Sequence, residues 1–460
     1  MQLCERRVAI PLVPGHACII GHIEKALRFR LGDDEVPVRV AVTAIENGQF
    51  QCEIGCLVGA GDVGGVGERT IFAFARRPAE SACGFNAVYL VPTGIGAEVG
   101  GHAGDATPAA QLFAACCDHL ITHPNVVNAS DINEIPANAS YVEGSVICRL
   151  LMGTVGLRPV RANRVLVVID AHSDELIENL TLNTVEATRA TYGLDCAGIY
   201  RLDPPLELEA AYAASGRATG SVRGISRLFE LLRETRDCYD AVAISSLITV
   251  PEGYHARYFD SNGDMINPWG GVEAMLTHAV SHVFDVPSAH APMMESRDIL
   301  FADSGRVDPR MAAEAISSSF LQCVLKGLKK SPRIVVDPVE MRAADVMTAE
   351  NVSCLIMPDG CIGLPTLAAL EQGIPVIAIR EGCGVLRNDL TLLPWLPNQL
   401  FIVENYWEAA GVLSALRAGI TPNSVRRPFG IMPARTWREA DATRSNENNR
   451  RQRAGVNKKY

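Results

Sequence analysis

The chain has 460 residues, 48% of them hydrophobic and 20% charged, and a formal net charge of −10 at pH 7. This length can bury a full core over two or three domains, and the composition excludes a disordered chain. The acidic balance argues against nucleic acid as the main partner, because phosphate binding needs a basic surface. No apolar stretch is long enough to span a membrane, so a soluble protein without a membrane partner is expected.

The cysteines and the first residues predict a cytoplasmic protein. None of the 14 cysteines forms a CxxC pair, and the opening MQLCERRVAI has no apolar run of secretory length. Reduced thiols are therefore expected, most of them as small core residues. A homo-oligomer is also expected, because large cytoplasmic α/β proteins are commonly symmetric assemblies.

The first 80 residues are predicted to form a small β-rich domain or elaboration. VPVRVAVTAI and QFQCEIGCLVG are typical of strands, and the Asn47-Gly48 pair between them predicts a hairpin.

From residue 81 to about 430, apolar strands alternate with helices. The predicted strands include NAVYLVP, RVLVVIDA, AVAISSLITV, RIVVDP, SCLIMP and IPVIAI. DELIENLTLNTVEATRATYGL is a predicted helix with Gly193 as its C-cap, and DPRMAAEAISSSFLQCVLKGLKK is a predicted long helix. The pattern indicates an α/β fold with mainly parallel, Rossmann-like sheets covered by helices on both faces. A division into two lobes near residue 160 stays open, and the polar, basic residues 431–460 are predicted to be a disordered tail.

A glycine-rich loop, PTGIGAEVGGHAGDATP, follows the first of these strands. Parallel sheets bind ligands at the carboxyl ends of their strands. Gly94, Gly96, Gly100 and Gly101 would let backbone N–H groups approach an anion closely, and Asp105 among them is a candidate catalytic residue. The alternative is a tight turn without a ligand. The spacing departs from the dinucleotide fingerprint, so no nucleotide cofactor is expected.

Three further segments carry candidate site residues: the end of a predicted helix or strand, a loop rich in hydrogen-bonding groups, and the end of a predicted strand. LITHPNVVN supplies His123 as a candidate catalytic residue and Asn125 as a candidate ligand-binding residue. PANASYVEG supplies Asn138 for binding and Glu143 for catalysis. Asp170 closes the strand RVLVVIDA, where a carboxylate is a common general base. The alternative for the acids that follow it is capping of the next helix.

The stretch GGVEAMLTHAVSHVFDVPSAHAPM holds three histidines. In a helix, His278 and His282 would share one face at the spacing that zinc proteases use, and His290 would return as a third ligand for Zn²⁺ or Fe²⁺. Apolar residues at helical spacing support the alternative, a packed core helix. Glu273 and Ser288 in the same stretch are candidate ligand-binding residues.

Several ordered motifs resemble the domain-of-unknown-function family 3326 of cyanobacteria, other bacteria and plant plastids. VPTGIGAEVGGHAGDATP, HPNVVN, PANASYVEG, GGVEAMLTH and VPSAHAP carry the resemblance, which covers about residues 86–428. It implies no reaction, but it marks positions of interest. These are Gly100, Gly101, Gly104, Asp105, His123, Pro124, Asn125, residues 141–144, His278 and His290. The family pattern has no histidine at 102 or 282, so the resemblance weakens a metal site that needs His278 and His282 together.

These observations favour an enzyme that acts on a small polar metabolite bearing a carboxylate or amide. A hydrolase or lyase that works by acid–base or metal-assisted chemistry is preferred, in a pocket at the strand ends. One alternative is a nucleotide-sugar enzyme, because GLPTLAALEQGIPVIAI resembles the donor-site segment of glycosyltransferases and epimerases, with Glu371 as the ribose contact. The other is a binding protein without turnover, which uses the same pocket.

Overall fold

The structure is a computed structural model that describes residues 1–12, 18–59, 69–129, 131–434 and 436. The chain divides into two compact units, Met1–Gly419 and Ile420–Tyr460. A 3₁₀ turn at Pro422–Val425 belongs to the second unit, and all elements below belong to the first. Most of the predicted disordered tail, residues 435 and 437–460, lies outside the described residues.

The strands of the first unit are, in chain order, β1 (Gln2–Pro11), β2 (Glu35–Glu46), β3 (Gln49–Val58), β4 (Asn86–Tyr89), β5 (His119–Thr122), β6 (Asn128–Ala129), β7 (Ile132–Asn133), β8 (Ala139–Tyr141), β9 (Gly156–Arg158), β10 (Arg164–Asp170), β11 (Asp195–Leu202), β12 (Glu207–Tyr212), β13 (Ala218–Arg223), β14 (Ala241–Thr249), β15 (Ser288–Met293), β16 (Arg333–Val335), β17 (Val352–Pro358), β18 (Ile362–Gly363), β19 (Val376–Ile379) and β20 (Leu400–Val403). Its α-helices are α1 (Ile19–Leu27), α2 (Thr107–Cys116), α3 (Pro124–Val127), α4 (Gly144–Leu151), α5 (Glu175–Tyr192), α6 (Ile225–Glu234), α7 (Tyr254–Asp260), α8 (Gly270–Phe284), α9 (Arg297–Leu300), α10 (Ala312–Ala315), α11 (Leu321–Lys330), α12 (Leu364–Gln372) and α13 (Tyr406–Arg417).

The predicted α/β class is confirmed, and one sheet is parallel throughout. Its strand order is β20-β19-β17-β4-β5-β8, and every neighbouring pair runs in the same direction. β17 and β19 are buried along their whole length. This burial explains their unbroken apolar sequences, because helices cover both faces of a parallel sheet. The carboxyl ends of β4, β5 and β8 therefore lie side by side.

The second large sheet is mixed. Its order is β11-β10-β14-β12-β13-β1-β3-β2-β18, and β15 pairs with β14. The pairs made by β14 are parallel, whereas those from β12 to β18 are antiparallel. The predicted hairpin is confirmed between β2 and β3, where Asn47 and Gly48 have φ of 51° and 72°. The strands of the first 80 residues thus share a sheet with β12 and β13.

Helix α8 packs between the mixed sheet and helix α4. It packs on β2, β13 and β15 and also against α4. A side chain at Gly271 would meet the backbone of Ala218 at 2.3 Å, so glycine is required for this close approach. At the other end, Asp285 caps α8 and pairs with Arg149 of α4 at 2.7 Å. These contacts fix α8 relative to the start of α4.

Two predictions about helices had different outcomes. Helix α5 is confirmed, with Asp174 as its N-cap and Gly193 in the left-handed conformation at its end. The predicted long helix over DPRMAAEAISSSFLQCVLKGLKK is wrong, because it divides into α10 and α11. In the break, the Ser317 hydroxyl lies at hydrogen-bond distance from Asp131, and the Ser319 hydroxyl accepts from the backbone of α11. Serine side chains that bond locally in this way compete with helical hydrogen bonds.

Candidate functional site

The carboxyl ends of three adjacent parallel strands form one wall of a polar cleft of about 150 Å³. His123 follows β5, Glu143 follows β8, and α8 and β15 supply the opposite wall. The predicted site residues that line the cleft are Gly94, Gly101, His123, Asn125, Glu143, Glu273, His278 and His290. The structure therefore brings together four of the six predicted catalytic residues.

Glu143 and His278 form a buried pair. Glu143 is the N-cap of α4, and its Oε2 accepts from the backbone N–H of Ser145 at 2.9 Å. Its Oε1 lies 2.7 Å from His278 Nδ1, an ion-pair contact that is not an aligned hydrogen bond. Burial raises the pKa of Glu143, but attraction to His278 and the Ser145 donors outweigh burial, so the net pKa is lowered. Glu143 is thus ionised and faces one ring nitrogen of His278.

The other ring nitrogen of His278 is available to a ligand. Nε2 has no hydrogen-bond partner among the described residues, and the ring edge packs over Gly144, which has no side chain to obstruct it. The side chain of His278 is 17% exposed, compared with 3% for Glu143. The pair therefore presents a histidine whose outward nitrogen faces the cleft and whose inward nitrogen faces a carboxylate, an arrangement used in proton transfer.

His290 forms a second pair, with Glu273, but its ring is held differently. Its Nδ1 lies 3.2 Å from Glu273 Oε2, and its Nε2 is 2.7 Å from Ser246 Oγ. Serine, histidine and glutamate in this order match the parts of a hydrolase triad. Ser246, however, is completely buried within β14 and does not line the cleft. Its hydroxyl therefore positions the His290 ring and is not accessible as a nucleophile.

His123 is held as a neutral imidazole. Its Nε2 accepts a hydrogen bond from the backbone N–H of Val91 at 3.1 Å. Burial lowers the pKa of His123 to about 4. The proton of the neutral ring must therefore reside on Nδ1, which makes His123 a hydrogen-bond donor. Beside it, Asn125 donates to the carbonyls of Val91 and Gly100, both at 3.0 Å, and so holds the glycine-rich loop in place.

The glycine-rich loop is shaped by close packing. Gly94, Gly96 and Gly100 have φ of 80°, 58° and 94°, which favour glycine. A side chain on Gly96 would meet Ile266 at 2.6 Å. Asp105 lies behind the loop, where its Oδ1 accepts from the N–H of Gly100 at 2.8 Å, and burial raises its pKa to about 7. Asp105 does not line the cleft, and anion binding by the loop stays a prediction.

Three other predicted site residues also lie away from the cleft. Asp170 accepts from the backbone N–H of Leu206 at 3.0 Å, and burial raises its pKa to about 7. Asn138 donates to a carbonyl near the end of α2 at 2.9 Å. Ser288 donates to the carbonyl of Thr277 at 3.1 Å and ties β15 to α8. Each makes backbone contacts that stabilise the fold.

The histidines do not fit the predicted metal site. In the parts of the chain that the structure describes, no group of three or more His, Cys, Asp and Glu side chains has the arrangement to hold a metal ion. Both ring nitrogens of His290 face protein atoms, as described above. His282 is buried beside Arg149 and Arg69, and burial lowers its pKa to about 4. The His278–His290 metal centre is therefore not supported by the donor geometry.

Some residues around the cleft were not predicted. Glu314 is buried, and its Oε1 accepts from the backbone N–H of Ala103 at 2.7 Å and from Asn267 Nδ2 at 3.3 Å. Burial raises the pKa of Glu314. The sequence did contain a signal for Glu314, which is an acid within the apolar run MAAEAI. An acid in such a run is buried only when it has hydrogen-bond or charge partners. Asn128, which was also not predicted, lines the cleft itself.

Glu371, the predicted ribose contact, has partners within the protein. Its Oε1 accepts from the backbone N–H of Ile20 at 2.9 Å, and its Oε2 accepts from the Cys18 thiol at 3.2 Å. Glu371 thereby accepts hydrogen bonds from two groups at the start of α1, the thiol of its N-cap residue and a backbone N–H.

Fold and cleft together define an α/β protein with a histidine- and glutamate-lined pocket at the edge of a parallel sheet. Residues 86–426 match the family described as "Protein of unknown function (DUF3326)", and the chain belongs to that family. The resemblance found in the sequence is thus confirmed. A relative from Synechococcus sp., named "Uncharacterized lipoprotein syc1174_c", is 34% identical over 343 residues, which cover 73% of this chain and 91% of that protein. No solved structure matches the chain. Among the described residues, none of the helices combines the length and apolarity needed to cross a membrane.

Proposed function

We propose that this protein is an enzyme that acts on a small polar metabolite bearing a carboxylate or an amide, in the polar cleft. The chemistry is acid–base catalysis of the hydrolase or lyase type. The observation that carries the proposal is the His278–Glu143 pair, whose free Nε2 faces the same cleft as the neutral His123.

His278 is the general base of this proposal. Its Nε2 takes a proton from a water molecule in hydrolysis, or from the carbon next to a carbonyl in a lyase reaction. The imidazolium that forms is stabilised by Glu143, a positioning residue whose carboxylate is already ionised.

His123 is the electrophilic partner in the proposed reaction. Negative charge that develops on a carbonyl oxygen of the substrate would accept a hydrogen bond from His123 Nδ1–H. A neutral donor suits this role because it stays protonated at Nδ1 while His278 cycles between charge states. No step requires a metal.

The experiment is a two-step comparison on the full chain. A library of small carboxylic acids and amides is first screened by thermal shift, and the compounds that bind are then followed by NMR for turnover. We expect His278→Asn to abolish turnover and His123→Asn to reduce it about 10²-fold or more. The matched control is His172→Asn, which removes a histidine that does not line the cleft. Undiminished turnover in His278→Asn would contradict the proposal, and binding without turnover would favour a binding protein.

Three other predictions from the sequence concern the sheet layout, the oligomeric state and the location of the protein. The Rossmann-like layout and the homo-oligomer stay predictions, and the proposed chemistry depends on neither. The cytoplasmic location has a competing hypothesis, because the relative from Synechococcus is named a lipoprotein, which would place the protein at a membrane surface. Fractionation of cells that express the full-length natural gene would distinguish the two locations.

A further inference from the structure

We propose that the ligand of this cleft is amphipathic, with an N–H-bearing end, an amide or an amine, and an apolar ring or branched chain. The inference rests on the proposed function, because it concerns the ligand of the same site. It excludes a free carboxylate as the group that faces Glu273.

The first observation is an apolar chamber that continues the cleft. This chamber has a volume of about 170 Å³ and shares Asn128, Asn267, Glu273 and His290 with the cleft. Its apolar side chains come from at least five different segments of the chain. Among them are Phe259, Trp269, Met293, Leu300, Phe320 and Val324. Ligand pockets combine such walls with a few polar groups, and here the four shared residues supply polar groups at the junction with the cleft.

The second observation is the charge of the walls. No lysine or arginine is among the described residues that line the cleft or the chamber, whereas glutamates line both. Arg39 and Arg217 line a third cavity, which shares His123 and His278 with the cleft. Both guanidinium groups are already paired with glutamates, Arg39 with Glu5 and Arg217 with Glu5 and Glu53. A ligand carboxylate would therefore face like charge in a partly buried setting, where repulsion is stronger than in water.

The third observation is the position of Glu273 at the junction. It lines both cavities, and its side chain is 22% exposed, whereas Glu143 is almost fully buried. Glu314 lines the chamber too, but its Oε1 already accepts from Ala103 and Asn267. Glu273 is thus the carboxylate at the junction of the two cavities with acceptor capacity to spare, and an amide N–H or an ammonium group is its natural partner.

His290 supports the same assignment. Its side chain is completely buried and lines both cavities, and its Nδ1 makes no aligned hydrogen bond with a described residue. His290 contacts Glu273 from the protein side and leaves the rest of the partly exposed carboxylate to a ligand N–H. Beside the junction, Trp269 offers an aromatic surface for the apolar part of the ligand or for an ammonium group.

The test uses four probes that differ in one feature each. 2-Phenylacetamide, 2-phenylethylamine and phenylacetate share the ring, and acetamide lacks it. Dissociation constants are measured by ligand-observed NMR and calorimetry on the full chain. We expect the ring-bearing amide or amine to bind at least about tenfold more tightly than phenylacetate, and acetamide to bind more weakly than phenylacetamide. Equal or tighter binding of phenylacetate would overturn the proposal, as would absence of binding by both the amide and the amine at millimolar concentration.

Variants locate the binding. Glu273→Gln keeps the shape of the side chain and should weaken phenylethylamine about tenfold, with a smaller effect on phenylacetamide. Trp269→Leu should weaken all ring-bearing probes, and its matched control is Trp407→Leu, at an exposed tryptophan outside the chamber. Circular dichroism verifies the fold of each variant. Unchanged probe affinities in both Glu273→Gln and Trp269→Leu would overturn the assignment.

The two proposals fail in different ways. If the probes bind as expected but no compound is turned over, the ligand class stands and the enzymatic proposal is wrong. If a small aliphatic carboxylate is turned over by the wild type and not by His278→Asn, while none of the ring-bearing amides or amines binds, the enzymatic proposal stands and the ligand class is wrong.

Discussion

Two histidine–glutamate pairs line the cleft, and they differ in what holds the glutamate. Glu143 is the N-cap of α4 and accepts backbone N–H groups there, so a helix N-terminus stabilises its charge. Glu273 lies in the first turn of α8, is more exposed, and contacts His290 at a longer distance, 3.2 Å against 2.7 Å. The first glutamate is therefore a fixed part of the protein, whereas the second is available to a ligand.

The rings also differ in what contacts the second nitrogen. His278 leaves Nε2 to the cleft, whereas the Nε2 of His290 is held by the buried Ser246. The same two residue types thus yield one ring with a nitrogen open to the cleft and one ring whose two nitrogens both face protein atoms. Sequence spacing alone does not distinguish the two histidines, because the difference depends on whether another residue, such as Ser246, contacts the second ring nitrogen.

The largest expected effect separates the two glutamates. Glu143→Ala removes both the cap of α4 and the buried partner of His278, so we expect a loss of about 3–5 kcal/mol in the free energy of unfolding. Glu273→Ala removes a more exposed partner and should lose about 1 kcal/mol or less. Urea denaturation of both variants and of Glu143→Gln measures the difference. Equal losses for the two alanine variants would show that the pairs are equivalent.

A smaller effect is expected at Ser246. Ser246→Ala leaves the Nε2 of His290 buried without its partner, which costs about 1–3 kcal/mol. Ring ¹⁵N chemical shifts of His290 should change in this variant, because the contact that holds the ring is lost, while those of His278 should not. Unchanged shifts at His290 would mean that the hydroxyl does not determine the state of the ring. Ser414→Ala, which removes a hydroxyl on α13 that does not line the cleft, is a suitable control.

Local patterns predicted one wall of the site well. The unbroken apolar runs SCLIMP and IPVIAI indicated buried parallel strands. His123 was predicted at the end of a helix or strand and Glu143 in a loop rich in hydrogen-bonding groups. In the structure they follow the short neighbouring strands β5 and β8, which end at the same edge of the sheet.

The other wall depends on contacts that sequence patterns do not encode. β13 pairs with β1, whose residues lie more than 200 positions earlier in the chain. Glu314 lies in α10, which serines separate from α11, and Ser246 contacts His290 because β14 and β15 pair. Asp105 and Asp170 were chosen for their positions after strands, but their carboxylates accept backbone N–H groups behind the site.

The smallest expected effect concerns His282, the residue that sequence spacing placed with His278. Neither of its ring nitrogens has a hydrogen-bond partner among the described residues, and burial lowers its pKa from 6.5 to about 4. In the unfolded chain, His282 binds a proton near pH 6.5, whereas in the folded protein it stays neutral until about pH 4. The free energy of unfolding of the wild type therefore decreases as the pH falls from 6.5 towards 4. His282→Leu removes this loss.

At neutral pH, His282→Leu should change the free energy of unfolding by about 1 kcal/mol or less, because an unpartnered buried polar group is replaced by an apolar one. Its stability relative to the wild type should then rise as the pH falls. His278→Leu, one turn earlier on the same helix, should instead be strongly destabilising, since it leaves the buried Glu143 without its partner. Thermal denaturation of both variants across this pH range tests the contrast. If His282→Leu destabilised the protein as much as His278→Leu, the two histidines would act as one unit, and the metal hypothesis for α8 would regain support.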